Sequence, residues 1–169
     1  YYGEAVELTL KELRTNIDQY NGIKVAFNAI VTKDHSNSVY VEDFDEETGV
    51  YYGISIYYGF NLSGPGLAAI SVGNEARIVG TVQYYEAGGT WQVSGLSYRM
   101  MKPNDPGNIQ KISDGHAPAW VLTSPAAFHS QVIIDVSDES KVFNYAALAM
   151  GTSIEMQGLT VQDVYTTMD

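Results

Sequence analysis

Residues 39 to 58 read VYVEDFDEETGVYYGISIYY, and this stretch carries the strongest β-strand pattern in the chain. Apolar and polar residues alternate on both sides of an acidic turn, and a period of two is typical of β-strands. The stretch therefore predicts a hairpin with one strand over about 38–43 and another over about 50–58. Its crowded tyrosines and the five carboxylates of the turn 42–49 raise the question of whether the hairpin also binds a ligand.

Three further strands are predicted around this hairpin. KVAFNAIVTK (24–33) precedes it and alternates apolar residues in the same way. EARIVGTVQYYE (75–86) and TWQVSGLSYR (90–99) follow, separated by a glycine-rich turn. The intervening segment 61–74 contains glycines and a proline, and it predicts a loop with about one helical turn.

The clearest helix is predicted before the first strand, over residues 8–21. Its apolar residues recur at helical spacing, Thr9 and Glu12 form a T-x-x-E capping box, and Gly22 ends it. A short helix followed by five strands, with an irregular connection between the third and fourth, is the outline of a small closed Greek-key barrel. A β-sandwich is the alternative architecture, although the strands are too few for an immunoglobulin-like domain.

The domain organisation is predicted from KPNDPGN (102–108), whose two prolines and glycine are typical of a boundary. We expect a barrel over 1–105 and a C-terminal extension of mixed α and β structure over 106–169. The chain begins without Met or a signal-peptide pattern, which we interpret as a piece of a longer protein.

An internal repeat leaves two interpretations of that extension. NGIKVAFNAIV (21–31), VGNEARIVGTV (72–82) and MGTSIEMQGLT (150–160) each place a glycine before apolar residues at strand spacing. The third copy follows a helix-like stretch, as the first copy does. The extension is therefore either the start of a second barrel-like unit or a tail that packs on the first barrel.

Composition restricts the classes of ligand and site. The chain has 20 acidic against 9 basic residues and a formal charge of −11, so its overall field repels phosphate backbones. The absence of cysteine excludes disulfides and thiolate metal sites. No apolar stretch approaches the roughly 18 residues of a transmembrane helix.

Several of these segments together resemble a known family. A first strand beginning G-x-x-V, then VYVED, GVYYGISIYY, VGNEARIVGTV and a final W-Q-V strand are similar to the OB-fold domains of bacterial extracellular and cell-surface proteins, the type found beside secreted nucleases. The resemblance covers about residues 8–100. It implies a five-stranded OB barrel that serves as a binding or accessory module of a larger exported protein. Nucleic-acid-binding members usually present basic grooves, and this chain departs from them in charge.

Candidate ligand contacts follow from the usual OB site, which lies across the second and third strands. Alternation places Tyr40, Tyr51 and Tyr57 on the outer face of these strands, where they could stack bases or sugar rings. Arg77 and Trp91 are weaker candidates, since an isolated charge is usually solvated and Trp91 could cap the barrel. The alternative for the tyrosines is that they only stabilise the sheet.

Catalytic and metal signatures are not found in the sequence. It has no G-x-S-x-G elbow, no P-loop and no H-E-x-x-H, and His35, His116 and His129 are widely separated. The turn 42–49 lacks the EF-hand pattern, so we expect a solvated turn, with calcium as the alternative. The prediction is a protein with no enzymatic activity, no metal and no cofactor.

Two functional hypotheses follow. The first is a non-catalytic OB-fold module of a larger extracellular or cell-surface bacterial protein that binds single-stranded nucleic acid, an oligosaccharide or another extended ligand, or a protein partner, across strands two and three. The second is a structural or assembly domain that contacts neighbouring domains, another protein or a neutral glycan and has no nucleic-acid activity.

Overall fold

The computed structural model describes residues 4–133 and 142–166, and within them the largest unit is a sheet of seven strands. In chain order these strands are β1 (Val6–Glu7), β2 (Lys24–His35), β3 (Ser38–Asp45), β4 (Val50–Tyr57), β5 (Glu75–Tyr85), β6 (Thr90–Ser94) and β7 (Gln110–Ser113).

Five strands of this described sheet close into an OB barrel, as predicted. β2 pairs antiparallel with β3, β3 with β4, and β5 with both β2 and β6, while β4 and β6 run parallel and complete the ring. The long strand β2 contacts β5 along its first half and β3 along its second. A register shift between Val31 and Lys33 bends β2 and allows both pairings.

The barrel core is formed by the inward-pointing residues of these strands. In β4 every second residue is buried, from Val50 through Tyr52 and Ile54 to Ile56, which confirms the parity expected from the sequence. Burying an aliphatic side chain of this size stabilises the fold by about 1.5–3 kcal/mol. The tyrosines of the opposite parity are left on the outside.

Helix α1 spans Leu10–Thr15 and is shorter than the predicted 8–21. Its capping box is present, because the Glu12 amide donates to Thr9 Oγ1 and the Thr9 amide donates to the Glu12 carboxylate. The helix ends at Asn16, whose side-chain amide donates to the Glu12 carbonyl and so competes with the next backbone hydrogen bond. A 3-10 helix, Ile17–Tyr20, continues the chain into β2.

Helix α2 spans Gly64–Ala69 and lies between β4 and β5, where the sequence predicts a loop with one helical turn. Pro65 occupies its first turn, a position that needs no amide hydrogen. At its other end the Asn74 side-chain amide donates to the carbonyls of Ala68 and Ala69. The last barrel strand, β6, ends at Ser94, earlier than predicted, because Gly95 turns with a φ of +56°.

Beyond residue 108 the chain forms short elements outside the closed barrel. β7 pairs with the edge of β5, β9 (Gln131–Ile133) pairs antiparallel with β10 (Val142–Asn144), and β8 (Trp120–Thr123) pairs parallel with β11 (Ser153–Met156). The division at residue 105 stays a prediction. No helix in the described ranges is long and apolar enough to cross a membrane. The elements are β8 (Trp120–Thr123), α3 (Pro125–Phe128), β9 (Gln131–Ile133), β10 (Val142–Asn144), α4 (Tyr145–Leu148) and β11 (Ser153–Met156).

Candidate ligand-binding face

The outer surface of β3 and β4 carries four cross-strand residue pairs, and we call it the β3–β4 face. Val39 and Val41 of β3 and the residues of the same parity on β4 are buried in the barrel, so the side chains of these pairs point away from the core. In order along the strands the pairs are Ser38–Tyr57, Tyr40–Ser55, Glu42–Gly53 and Phe44–Tyr51.

The three predicted tyrosines all lie on this face, as their parity indicates. Tyr57 is exposed, while Tyr40 and Tyr51 are half-buried. Tyr51 and Tyr57 are separated by six residues along β4, which corresponds to about 20 Å at the rise of a strand. The tyrosines therefore occupy two ends of the face and do not form one cluster.

An aromatic pair marks one end of the face. The rings of Phe44 and Tyr51 lie with their centroids 4.7 Å apart at an interplanar angle of 48°, and Phe44 is 47% exposed. Phe44 is not among the residues predicted from the sequence, although it shares the outward parity of Tyr40 in the same strand. The pair offers a ring surface to solvent at the end of the face next to the acidic turn.

The centre of the face is covered by residues 145–152, which we call the covering segment. Glu42 lies beneath it and is only 4% exposed. One carboxylate oxygen of Glu42 accepts a hydrogen bond from the Thr152 hydroxyl at 2.7 Å, and the other accepts one from the Ala119 amide at 2.8 Å. This buried carboxylate is therefore satisfied entirely by the C-terminal region.

Two glycines allow the covering segment to touch the sheet backbone. A Cβ placed on Gly53 would lie 2.3 Å from the Gly151 nitrogen, and one placed on Gly151 would lie 1.9 Å from the Val41 carbonyl oxygen. Thr32 also donates its hydroxyl to the Gly151 carbonyl at 2.6 Å. A glycine inside a strand often signals such a close approach, and Gly53 is the sequence signal that could have revealed this contact.

Apolar residues of α4 anchor the covering segment to the barrel. Leu148 is 1% exposed and joins the core cluster, and Ala149 is also buried. Tyr145 packs against the same core, and burial, with Tyr51 and Glu42 as neighbours, raises the pKa of its hydroxyl. The segment is thus held by both apolar packing and hydrogen bonds.

Arg14 of α1 lies beneath α4 and is 7% exposed. Its Nη2 donates to the Ala147 carbonyl, but Nε and Nη1 have no hydrogen-bond partner within residues 4–133 and 142–166. Burial lowers the pKa of Arg14 to about 10, so the side chain still carries its charge at neutral pH. No carboxylate compensates this buried charge among the residues that the structure describes.

Arg77 and Trp91 lie away from the β3–β4 face. Arg77 projects from β5, where its guanidinium forms a two-point ion pair with Glu7 and donates from Nε to the Pro106 carbonyl at 3.0 Å. The hydrogen bonds that Arg77 donates to Glu7 raise the pKa of Arg77. Trp91 of β6 packs against the core cluster, and its ring centroid is 5.1 Å from that of Tyr84. The five predicted contacts are therefore not brought together: the three tyrosines lie on the β3–β4 face, Arg77 lies beside Glu7, and Trp91 lies against the core.

The acidic turn is held by local hydrogen bonds and by α1. Lys11 Nζ lies 3.2 Å from Asp45 and 2.9 Å from Glu47, and Thr48 donates both its amide and its hydroxyl to Asp45. Burial opposes ionisation of Asp45, but the hydrogen bonds from Thr48 and Lys11 lower its pKa. Across the described ranges no three acidic or histidine side chains gather as a metal site.

Comparisons with known proteins return similarity in structure only. No family model matches the sequence, and no curated protein matches it. Similar solved structures include telomere capping protein Ten1 from Saccharomyces pombe, with 16% identity and a TM-score of 0.36 over 53% of this chain and 76% of that chain. The S. pombe Stn1–Ten1 complex has 14% identity and a TM-score of 0.35, over 59% of this chain and 85% of that chain. The OBody AM1L10 bound to hen egg-white lysozyme has 18% identity and a TM-score of 0.37, over 57% of this chain and 85% of that chain. The OB assignment rests on the strand order and closure of the barrel itself.

Proposed function

We propose that this chain is a non-catalytic OB-fold binding module that holds an extended ligand against the β3–β4 face. The observation that carries the proposal is the aromatic pair at one end of this face, in which the exposed ring of Phe44 lies against the half-buried ring of Tyr51. Stacking of a planar group on an aromatic ring contributes roughly 1–3 kcal/mol. Tyr40 and Tyr57 are the proposed contacts at the other end.

Charge favours a ligand without phosphates. The chain carries a formal charge of −11, and the aromatic pair lies beside the acidic turn. Lys11, Arg77 and Lys111 each form an ion pair with a carboxylate of the chain itself, so their charges are already neutralised locally. An oligosaccharide or a polypeptide is therefore the preferred ligand, and single-stranded nucleic acid is the alternative that aromatic stacking would also serve.

The proposed setting is a larger exported bacterial protein at the cell surface or outside the cell, with neighbouring domains as partners. This part of the proposal is supported by the resemblance of the strand motifs. Arg77 and Trp91 are not included in the proposed site, because Arg77 is paired with Glu7 and Trp91 packs against the barrel core.

The test is a binding screen of single-stranded oligonucleotides, oligosaccharides and peptides at about 50 and about 200 mM salt. For a ligand that binds, Phe44→Ala and Tyr51→Ala should each weaken affinity by about tenfold, equivalent to the loss of about 1.4 kcal/mol. Tyr85→Ala, which removes an exposed tyrosine at the end of β5, is the matched control and should leave affinity unchanged.

The outcomes separate the candidate ligands. Binding that weakens steeply with salt would identify phosphate contacts and nucleic acid, whereas salt-insensitive binding would identify a neutral ligand. An affinity that is the same in wild type, Phe44→Ala and Tyr51→Ala would reject the aromatic pair as the site.

A structural or assembly domain is the second candidate function. It is favoured by the covering segment, which already occupies the centre of the β3–β4 face. In that case the screen would find no ligand, and Phe44→Ala and Tyr51→Ala would lower the free energy of unfolding without any effect on binding.

A further inference from the structure

The centre of the β3–β4 face recognises polypeptide in the present structure. It supplies a carboxylate, Glu42, that accepts from a hydroxyl and from a backbone amide of the C-terminal region. The neighbouring strand β2 adds a hydroxyl, Thr32, that donates to the Gly151 carbonyl. Gly53 removes the side chain that would otherwise keep a second backbone away. These are groups that match peptide amides, carbonyls and side-chain hydroxyls.

Resting on the proposed function above, we infer that the ligand of this face is a polypeptide with an apolar helical turn followed by glycine and threonine. The covering segment, 145–152, is its built-in occupant. An external peptide of the same chemistry binds by replacing the covering segment, so the two compete for Glu42 and Thr32.

Two positions of the occupant determine the specificity. Glycine is required where Gly151 lies, because a Cβ there would be 1.9 Å from the Val41 carbonyl oxygen, and the sheet backbone cannot retreat without breaking the β2–β3–β4 pairing. A hydroxyl is required at the next position, because Thr152 donates to the buried Glu42 carboxylate. A valine there has the same shape as threonine but leaves that oxygen without its donor.

The covering segment is suited to displacement because its docking has an internal cost. It buries the Arg14 guanidinium with two nitrogens unpaired, and a buried charge without a partner opposes folding. Release of α4 would return Arg14 to water while the closed barrel keeps its backbone pairing. The segment can therefore leave without unfolding the domain.

The first step of the test removes the built-in occupant with Gly151→Val in the full chain. The new side chain collides with the Val41 carbonyl but lies outside the β3–β4 face, so the face remains intact. Hydrogen exchange should become at least tenfold faster for the amides of 145–156 and stay unchanged for β2 to β5. Gly107→Ala, in an exposed loop of ordinary φ, is the control for glycine replacement.

The second step adds a synthetic peptide of residues 144–156 to both proteins and measures affinity by calorimetry. We expect binding to Gly151→Val to be at least tenfold tighter than binding to wild type, whose face is occupied. Within the peptide, glycine to valine and threonine to valine should each weaken binding at least tenfold, and threonine to serine should preserve it.

A milder variant covers the case in which Gly151→Val unfolds the protein. Thr152→Val removes only the hydrogen bond to Glu42 and should still accelerate exchange in 145–156, whereas Thr160→Val, at an exposed position, should not. No peptide binding to a chain whose covering segment has been released would overturn the inference, as would equal binding of the valine-substituted peptides.

Failure of the peptide inference and failure of the proposed function give different experimental results. Phe44→Ala tests the aromatic pair, and the peptide series tests the centre of the face. An external ligand that is sensitive to Phe44→Ala, together with no binding of the 144–156 peptide, would retain the binding module and reject the Gly-Thr peptide. Peptide binding that is unaffected by Phe44→Ala would retain the Gly-Thr peptide as the ligand and reject the aromatic pair as part of the site.

Discussion

The barrel strands and the C-terminal strands β8 to β11 differ in how their backbone groups are paired. Each of the five barrel strands has a neighbour on both sides, because β4–β6 and β2–β5 close the ring. In the described C-terminal residues, β8–β11 and β9–β10 are sheets of two strands, and each strand has one open edge. A two-stranded sheet is marginally stable alone, so the C-terminal region depends on its contacts with the barrel.

Side-chain burial shows the same contrast. Tyr52 and Ile54 of the barrel are fully buried, whereas Trp120 and Leu122 of β8 are 69% and 63% exposed. Leu148 is buried because α4 lies on β4 and joins the barrel core. Apolar residues thus stabilise the barrel because they form its enclosed core. In the C-terminal region they stabilise the fold only where they contact that core.

The largest effect is expected from truncating the enclosed core. Ile54→Ala should lower the free energy of unfolding by about 2–5 kcal/mol, because it removes buried methyl groups and leaves a cavity. Leu122→Ala, the matched truncation on β8, should change it by less than about 0.5 kcal/mol. Urea denaturation measures both. Equal effects would show that β8 belongs to the same cooperative core.

Truncation at the junction should give an intermediate and local effect. Leu148→Ala should cost about 2 kcal/mol, near the lower end of the range for buried leucines, since the loosened α4 can open without unfolding the barrel. Hydrogen exchange should accelerate over 145–156 and remain slow in β2 to β5. A uniform acceleration through the barrel would contradict a separable C-terminal region.

Removing the buried charge beneath α4 should strengthen the same junction. Arg14→Met keeps an unbranched side chain but eliminates two unpaired buried nitrogens, and this gain exceeds the lost hydrogen bond to Ala147. We expect the free energy of unfolding to rise by about 1 kcal/mol, measured by urea denaturation. Arg14→Lys retains the buried charge and should not show the gain. A destabilised Arg14→Met would show that the guanidinium contributes to docking.

The smallest effects are expected at the solvated turn of the barrel. Asp45 has a lowered pKa, so its carboxylate stabilises the fold above the unfolded pKa near 4, and this contribution is lost as pH falls through its folded pKa. Asp43 has a raised pKa, caused by burial and then by Asp45 and Glu75, so its ionisation destabilises the fold at neutral pH.

The two aspartates therefore serve as controls for each other. At pH 7, Asp45→Asn should lower and Asp43→Asn should raise the free energy of unfolding, each by less than about 1 kcal/mol because the turn is partly solvated. Both differences should shrink as pH falls through the folded-state pKa of each carboxyl, where the native side chain becomes protonated as well. Changes of the same sign at pH 7 would contradict the opposite directions of the two pKa shifts.

Features that depend on residues close together in the sequence were predicted well, and features that depend on distant residues were not. The alternation of β4 predicts which residues enter the core, and the Thr9–Glu12 capping box marks the start of α1. The predicted end of α1 was wrong because the Asn16 side chain donates to the Glu12 carbonyl. The periodicity of apolar residues carries no information about that hydrogen bond. The candidate face was predicted by parity, whereas Phe44 and the division of the tyrosines into two ends emerge from the strand register.

The sequence alone was sufficient to predict the five barrel strands, the parity of β4 and the acidic character of the turn, because these features depend on neighbours a few residues apart. Tertiary structure alone decided that Glu42 and Gly53 meet Thr152 and Gly151, and that Arg14 is buried beneath α4. These contacts join residues about a hundred positions apart. A glycine within a strand, such as Gly53, indicates that a close approach is possible, but no local pattern identifies its partner, since these contacts form only after the barrel offers a closed surface on which the C-terminal region can pack.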